Sequence, residues 1–497
     1  MDTPPQNEPM PEGGVVMAPQ PVEPAPQETI VVPPPPPSGN NPFIPSIPTA
    51  QESSHAVPPG GKTSSGGHQS PIIKILLILV AIVVLGLLGS WVWGMVAGAK
   101  EVTITYWGLW ENDATVRSVI TDFEAKNPKI KVTYLKQSPK QYRERLQAAI
   151  QRGEGPDVFR FHNTWVAMLA RELAPVPAEV MSVSAFNSAF YPTAAADLNA
   201  GSTIYGIPMM IDGLGLYYNE DLFATAGVTP PTTWAEVLEL VPKLTVKNDT
   251  TILTSAIALG TTGNVENFSD ILATMFMQNG ADLTNLQGQA AEETLIFYKN
   301  FSDPSNPYYT WNETLDNSIY AFAIGRVAMI LAPSWRAFDI AQINPSMRFK
   351  IVPIPQLPGN TVSWASYWVE GVSAQSKNQK QAWEFMTYLT SQETTTKFYA
   401  EAAKSRLFGE PYARVNMASA LAQDPYVGAY LQQAPTAKSF PLASRTFDNG
   451  LNDRMIKYLE DAVNSVSDGS SPTSALETLS AGFRQVLSSY GLTTAQP

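Results

Sequence analysis

Seven tryptophans of this 497-residue chain, Trp107, Trp110, Trp165, Trp311, Trp335, Trp364 and Trp368, stand where the pattern reads as strand ends or loops. Several have polar neighbours. Glu111 follows Trp110, His162 and Asn163 precede Trp165, Arg336 follows Trp335, and Glu370 lies just beyond Trp368. Asp212 sits among glycines in an extended stretch. A flat indole face suits the C–H face of a sugar ring, while carboxylate, amide and guanidinium groups suit its hydroxyl edge; small-molecule pockets join apolar walls to a few convergent polar groups. Each residue has a plainer reading beside this one. Trp107 alternates within a strand, Trp165 can cap a core, Asp212 can be a local turn acceptor, and Arg336 can form a surface ion pair. Trp234 and Trp383 lie in helical patterns and read as core.

Other chemistries find less support. With no cysteine, there is no thiol nucleophile, thiolate metal site or disulfide framework. His162 is the sole histidine beyond residue 99, and no nucleophile motif surrounds a serine. HExxH, the dinucleotide fingerprint and the phosphate loop are absent. A glycoside hydrolase needs only two suitably spaced carboxylates, and Glu111 with Glu370 or Asp212 supplies candidates. Asp448-Asn449-Gly450, followed by Asn452 and Asp453, only loosely resembles a calcium loop and reads as a solvated turn. No cofactor is expected. The formal charge of −12 argues against nucleic acid, which needs clustered Lys and Arg.

These side chains must be carried by alternating elements. Val102 to Trp107 reads as a strand, Val116, Val119, Ile120 and Phe123 as a helical stripe ended by Asn127-Pro128, and Ile130 to Leu135 as a second strand. A second helical stripe, Tyr142, Leu146, Ala149 and Ile150, stops at Gly153 and Gly155-Pro156 before a buried strand from Asp157 to Phe161. That order predicts an α/β layer. Thr233 and Glu236 fit a capping box, Ala321 to Trp335 reads as helix, glycine turn and strand, and Gln379 to Ser391 as a helix.

Several of these stretches carry a likeness to a known family. "ITYWGLWE", "DFEAKNPKIKV", "RLQAAIQRGEGPDVFRF", "YGIPMMIDGLGLYYNEDLFATAGVTPPTTWAE", "AIGRVAMILAPSW" and "EGVSAQSKNQKQAWEFMTYLTS" occur in this order over residues 102–400. The chain resembles maltose-binding-type extracellular solute-binding proteins, family 1, of ABC importers. The resemblance implies an α/β fold of two lobes with a hinge, like a type II periplasmic binding protein, and a ligand held in the cleft. It places the first lobe at about 101–211 and 360–404 and the second at about 212–359 and 405–497. It also implies delivery of the solute to ABC permease subunits.

The front of the chain is different. Residues 1–71 hold 19 of the 42 prolines, and residues 1–70 read as a disordered tail. Residues 72–97 read as a transmembrane helix, since Ile75 to Val96 is free of charge and about 33 Å long at 1.5 Å per residue. An uncleaved signal anchor is favoured over a signal peptide cut after Ala97-Gly98-Ala99, because the apolar run is long and 71 residues precede it. The expectation is a single-pass membrane protein with its solute-binding domain outside the cytoplasm, which captures a small solute, an oligosaccharide first, and is not an enzyme. A tethered sensory or scaffold receptor is the alternative, and polyamines or peptides are the other ligand classes.

Overall fold

The computed structural model describes residues 80, 82–87, 101–249 and 251–492. The proline-rich tail and most of the predicted membrane helix lie outside them. The chain divides into two units, Met1–Val84 and Leu85–Pro497. The first contributes only helical Val80 and residues 82–84, and everything below concerns the second. Among the described residues no helix is long and apolar enough to cross a membrane.

Two five-stranded sheets organise the second unit. Ten strands build them: β1 (Val102–Gly108), β2 (Ile130–Lys136), β3 (Val158–His162), β4 (Ile207–Pro208), β5 (Gly215–Asn219), β6 (Val246–Asn248), β7 (Thr251–Ile257), β8 (Val327–Ala332), β9 (Phe349–Val352) and β10 (Trp368–Val372). The first sheet runs β2-β1-β3-β10-β4, with β1 parallel to β2 and β3, and β10 antiparallel to β3 and β4. The second runs β9-β5-β8-β7-β6, with β8 parallel to β7 and antiparallel to β5. All five residues of β3 and all six of β8 are buried, as strands covered on both faces must be.

The helices follow the apolar stripes. Helix α1 (Asp113–Lys126) buries Val116, Val119, Ile120 and Phe123. Its Asn112 side chain accepts the Thr115 N–H at 2.8 Å, which satisfies one of the free donors at the helix start. Helix α2 (Tyr142–Gln151) buries Tyr142 and Leu146, and Tyr142 donates to the Arg160 carbonyl of β3 at 2.8 Å. Helix α3 (Trp234–Leu244) begins with the Thr233–Glu236 capping box. Helices Gln379–Leu389 and Gln392–Ala402 return to the first sheet, the latter packing on α1 with Lys397 paired to Asp122 at 2.6 Å. The C-terminal helices Leu451–Ser467 and Pro472–Ser489 pack on each other and on the second lobe's helices Phe268–Gln278 and Gln289–Asn300.

Three short segments cross between the lobes, around residues 210–213, 363–365 and 412, and bond to one another or to Ala437–Lys438 of the second lobe. Gly213 bridges Ala365, Met210 bridges Tyr412, and Ser363–Trp364 pairs with Ala437–Lys438. A Cβ on Gly213 would fall 1.8 Å from the Trp364 carbonyl oxygen, so only glycine permits this approach. The residue before it, Asp212, is therefore fixed where the chain passes between lobes.

Candidate functional site

A cavity of about 580 Å³ opens between the lobes, inside the range of small-molecule pockets. The first lobe supplies Trp110, just beyond β1, and Trp368 with His162, which are register partners on β10 and β3. The Trp110 and Trp368 rings meet edge to face at 5.6 Å, and Trp110 keeps 37% of its surface exposed. From the second lobe come Trp335 and Arg336, where β8 turns into helix Arg336–Ile343. The Arg336 guanidinium lies 4.0 Å from the Trp335 ring centroid and pairs with Glu266 at 2.5 Å and Asp339 at 2.7 Å. Phe338 and Phe408 stack at 4.4 Å on the same wall.

Asp212 lies on the cavity wall. Its Oδ1 accepts the N–H groups of Gly213 (2.8 Å) and Ser334 (3.2 Å), and its Oδ2 accepts the Ser334 hydroxyl at 2.8 Å. Burial raises its pKa to about 7 against these lowering bonds. Asp270 is raised to about 6 by burial, while its oxygens accept from Trp364 Nε1 at 2.8 Å and Ser444 N at 3.1 Å. Burial pushes His162 down to about 3, so the ring is neutral at pH 7 between Thr164 Oγ1 (2.8 Å) and Ser366 Oγ (3.1 Å).

The twelve sequence candidates separate on this geometry. Trp110, Asp212, Trp335, Arg336 and Trp368 line the cavity. The other seven do not. Trp165 is fully buried beneath Trp368, with ring centroids 5.3 Å apart. Trp311 is a core residue whose Nε1 donates to Asn264 at 2.9 Å. Trp364 is buried behind Asp270, and Trp107 packs half-buried against the first core. Asn163 spans inward contacts, donating to Asp197 at 2.9 Å and accepting the Tyr367 N–H at 3.1 Å. Glu111 and Glu370 both grip Arg160, at 2.5 Å and 2.6 Å, with all three side chains almost fully buried. Burial raises the Glu111 pKa, but attraction and hydrogen bonding from Arg160 overcome it and leave the group below its ordinary value; burial holds Glu370 above it. The two carboxylates weighed as a hydrolytic pair thus serve one guanidinium below the cavity floor.

Sequence reasoning passed over Asn267, Asp270, Phe338, Arg406, Phe408, Glu410 and Ser444 to Phe447, which also line the wall. The "SFPLASRTFDNG" stretch interleaves aromatic and charged residues, a signal that the calcium comparison obscures. Both Asp448 oxygens there accept N–H donors from Gly450, Asn452 and Asp453 at 2.8 to 3.2 Å.

Asp212 yields a test. A carboxyl with a folded pKa near 7, against 3.8 unfolded, holds more protons folded in that window, so its contribution to stability falls as pH rises from about 4 to 7. In the Asp212→Asn variant the amide oxygen would accept both N–H groups and the amide nitrogen would donate to Ser334 Oγ, keeping every bond. Asp212→Asn is expected to be about 2–4 kcal/mol more stable than wild type at pH 8, with the gap closing near pH 4. Urea unfolding across that range checks it, since parallel stability curves for the two proteins would mean burial does not raise this carboxyl. The opposite contribution from His162, lost as pH falls from 6.5 towards 3, cancels in the comparison.

Two α/β lobes on separate sheets, joined by crossing segments around an aromatic cleft with a polar rim, define the two-lobed solute-binding protein fold. Residues 107–396, more than half of the chain, match the family model for bacterial extracellular solute-binding proteins, and the chain belongs to that family. A relative, the multiple sugar-binding protein of Streptococcus mutans, is 25% identical over 315 residues, covering 60% of this chain and 73% of its own. Among solved structures, the sugar-binding protein MalE of Xanthomonas citri superposes with a TM-score of 0.63 at 21% identity, over 78% of this chain and 98% of its own. The GacH receptor of Streptomyces glaucescens, solved unliganded and with acarbose, gives 0.60 at 22% identity, over 78% and 99%. At these identities the structural likeness establishes the fold.

Proposed function

We propose that this protein captures an oligosaccharide outside the cytoplasm and hands it unchanged to the permease subunits of an ABC importer, while a helix at about 72–97 ties it to the membrane. The observation that carries the reading is the cleft itself: indole and phenyl faces from both lobes surround Asp212, Arg336 and other hydrogen-bonding groups. Aromatic faces cover the C–H surfaces of pyranose rings, and the polar rim matches their hydroxyls. Family membership and the names of the relatives support the same ligand class. The apolar sequence from Ile75 to Val96 supports the anchor. In this reading Trp110, Asp212, Trp335, Arg336 and Trp368 touch the ligand. The lobes divide near 211/212, 359/360 and 404/405, and the strand membership of the two sheets supports the first two of these bounds.

Thermal unfolding of the full chain in detergent, against neutral oligosaccharides, polyamines and peptides, tests the ligand class. A ligand that binds only the folded state adds about 2.7 kcal/mol at a hundredfold excess over Kd. The expected result is a raised Tm with one glycan class, recovered intact by chromatography. A shift with a polyamine or peptide alone would overturn the sugar reading, and recovery of a cleaved glycan would overturn binding without chemistry.

A further inference from the structure

The segment from Arg445 to Asn449 holds three non-glycine residues at left-handed φ: Arg445 at 62°, Phe447 at 51° and Asn449 at 44°. For side-chain-bearing residues, and a bulky phenylalanine above all, such backbone is disfavoured and persists only where the surroundings hold it. Its first three residues, Arg445, Thr446 and Phe447, line the cavity, and Phe447 stays 41% exposed there. The second lobe holds one end of the segment, through Ser444, which donates its N–H to Asp270 at 3.1 Å and accepts Asn267 Nδ2 at 2.8 Å.

The other end is bonded to both lobes: the Asp448 carboxylate and the Asn449 N–H are tied to the start of helix Leu451–Ser467, and the first lobe holds the backbone carbonyl between them. Arg143, on α2, donates Nε to the Asp448 carbonyl at 2.6 Å, and that carbonyl lies between the two left-handed residues Phe447 and Asn449. Asn452 adds a second contact across the lobes, donating to Thr164 Oγ1 at 2.7 Å. Arg143 itself does not line the cavity. It is steadied on its own helix by Gln147 and Glu144.

We propose that Arg143 is a positioning residue for the cleft: with the lobes together, its bond to Asp448 holds the strained segment and presents Phe447 to the ligand. The inference rests on the cleft being the ligand site. When the lobes part, Arg143 leaves with the first lobe, the backbone relaxes and Phe447 withdraws. A contact made only in the closed state favours that state and slows ligand escape, with little effect on encounter.

Hydrogen exchange on the full chain saturated with maltotriose, which holds the lobes together, tests this. Arg143→Met is expected to speed exchange at residues 445–449 about tenfold, with residues 459–463 of the following helix unchanged. Arg143→Lys restores most of the protection, because an ammonium also donates to the carbonyl. With maltotriose as probe, Arg143→Met is expected to raise the dissociation rate about tenfold and leave association within about twofold. Adding Phe447→Ala to Arg143→Met should cost little more than either change alone, since both remove the same contact. Unchanged exchange at 445–449, or a rise spread over α2 and the C-terminal helices, would overturn the proposal. Should maltotriose fail to bind wild type, the glycan that raises the Tm replaces it in both measurements, and only the choice of sugar is affected.

Discussion

Replacing Arg160 with methionine is expected to destabilise the protein by about 3–5 kcal/mol, the usual cost of stranding buried charge by removing its partner. Arg160 is 1% exposed on β3 and neutralises Glu111 and Glu370, which are 4% and 1% exposed. Without it, two carboxylates share the interior with only the unbonded, weaker influence of Arg406 on Glu111, and each already has one oxygen without a partner. The cost should shrink as pH falls towards 4, because stranded carboxylates take up protons and become neutral. Changing all three residues to apolar ones of similar volume should recover most of the stability, since a buried ionic cluster is close to neutral in net worth. Urea unfolding of the single and triple variants checks both statements. A triple variant as unstable as the single one would mean that shape, not charge, is what Arg160 contributes. Glu111 adjoins Trp110 and Glu370 lies two residues along β10 from Trp368, so the same cluster underlies the first lobe's aromatic wall.

Trp335→Ala is expected to weaken oligosaccharide binding roughly 30-fold to several hundredfold, the 2–4 kcal/mol range of a dominant aromatic anchor. Its ring projects where β8 passes into a helix, and Arg336 lies 4.0 Å from its centroid. The alanine variant loses the platform and also frees Arg336 from its stacking partner. Trp335→Phe keeps a flat face and should lose about tenfold or less. Trp311→Ala serves as the control. That ring is buried and bonded to Asn264, so its loss should lower the Tm while the folded fraction binds with wild-type affinity. Calorimetric titration of the three variants decides between them. Equal losses for Trp335→Ala and Trp311→Ala would show that affinity follows overall stability and not a ring at the cleft.

These two tryptophans show where sequence reading stops. Both follow aromatic or apolar runs and both have polar neighbours, "YYTWNE" and "LAPSWRAF". What separates them is a partner 47 residues away in the chain: Asn264 takes the Trp311 N–H and lets that ring enter the core. Arg160 is a similar case. Within "VFRFH" it belongs to a strand whose burial was legible, but its partners lie 49 and 210 residues distant. No local pattern marks them, because the pairing depends on β10 returning antiparallel beside β3.

The sequence by itself determined the elements and their order. Apolar period, helix caps and glycine or proline stops act between neighbours, and they set β1-α1-β2-α2-β3, the capping box at Thr233 and the glycine turn before β8. It also determined the family, because ordered stretches spread over residues 102–400 carry more information than any one motif. Tertiary structure decided which of twelve candidate side chains face the cavity. That choice depends on burial and on partners brought from distant parts of the chain. Desolvation is a property of the packed whole and raises the pKa of Asp212 on the wall, while Arg160, set beside Glu370 by the pairing of β3 with β10, makes that carboxylate an internal counter-charge.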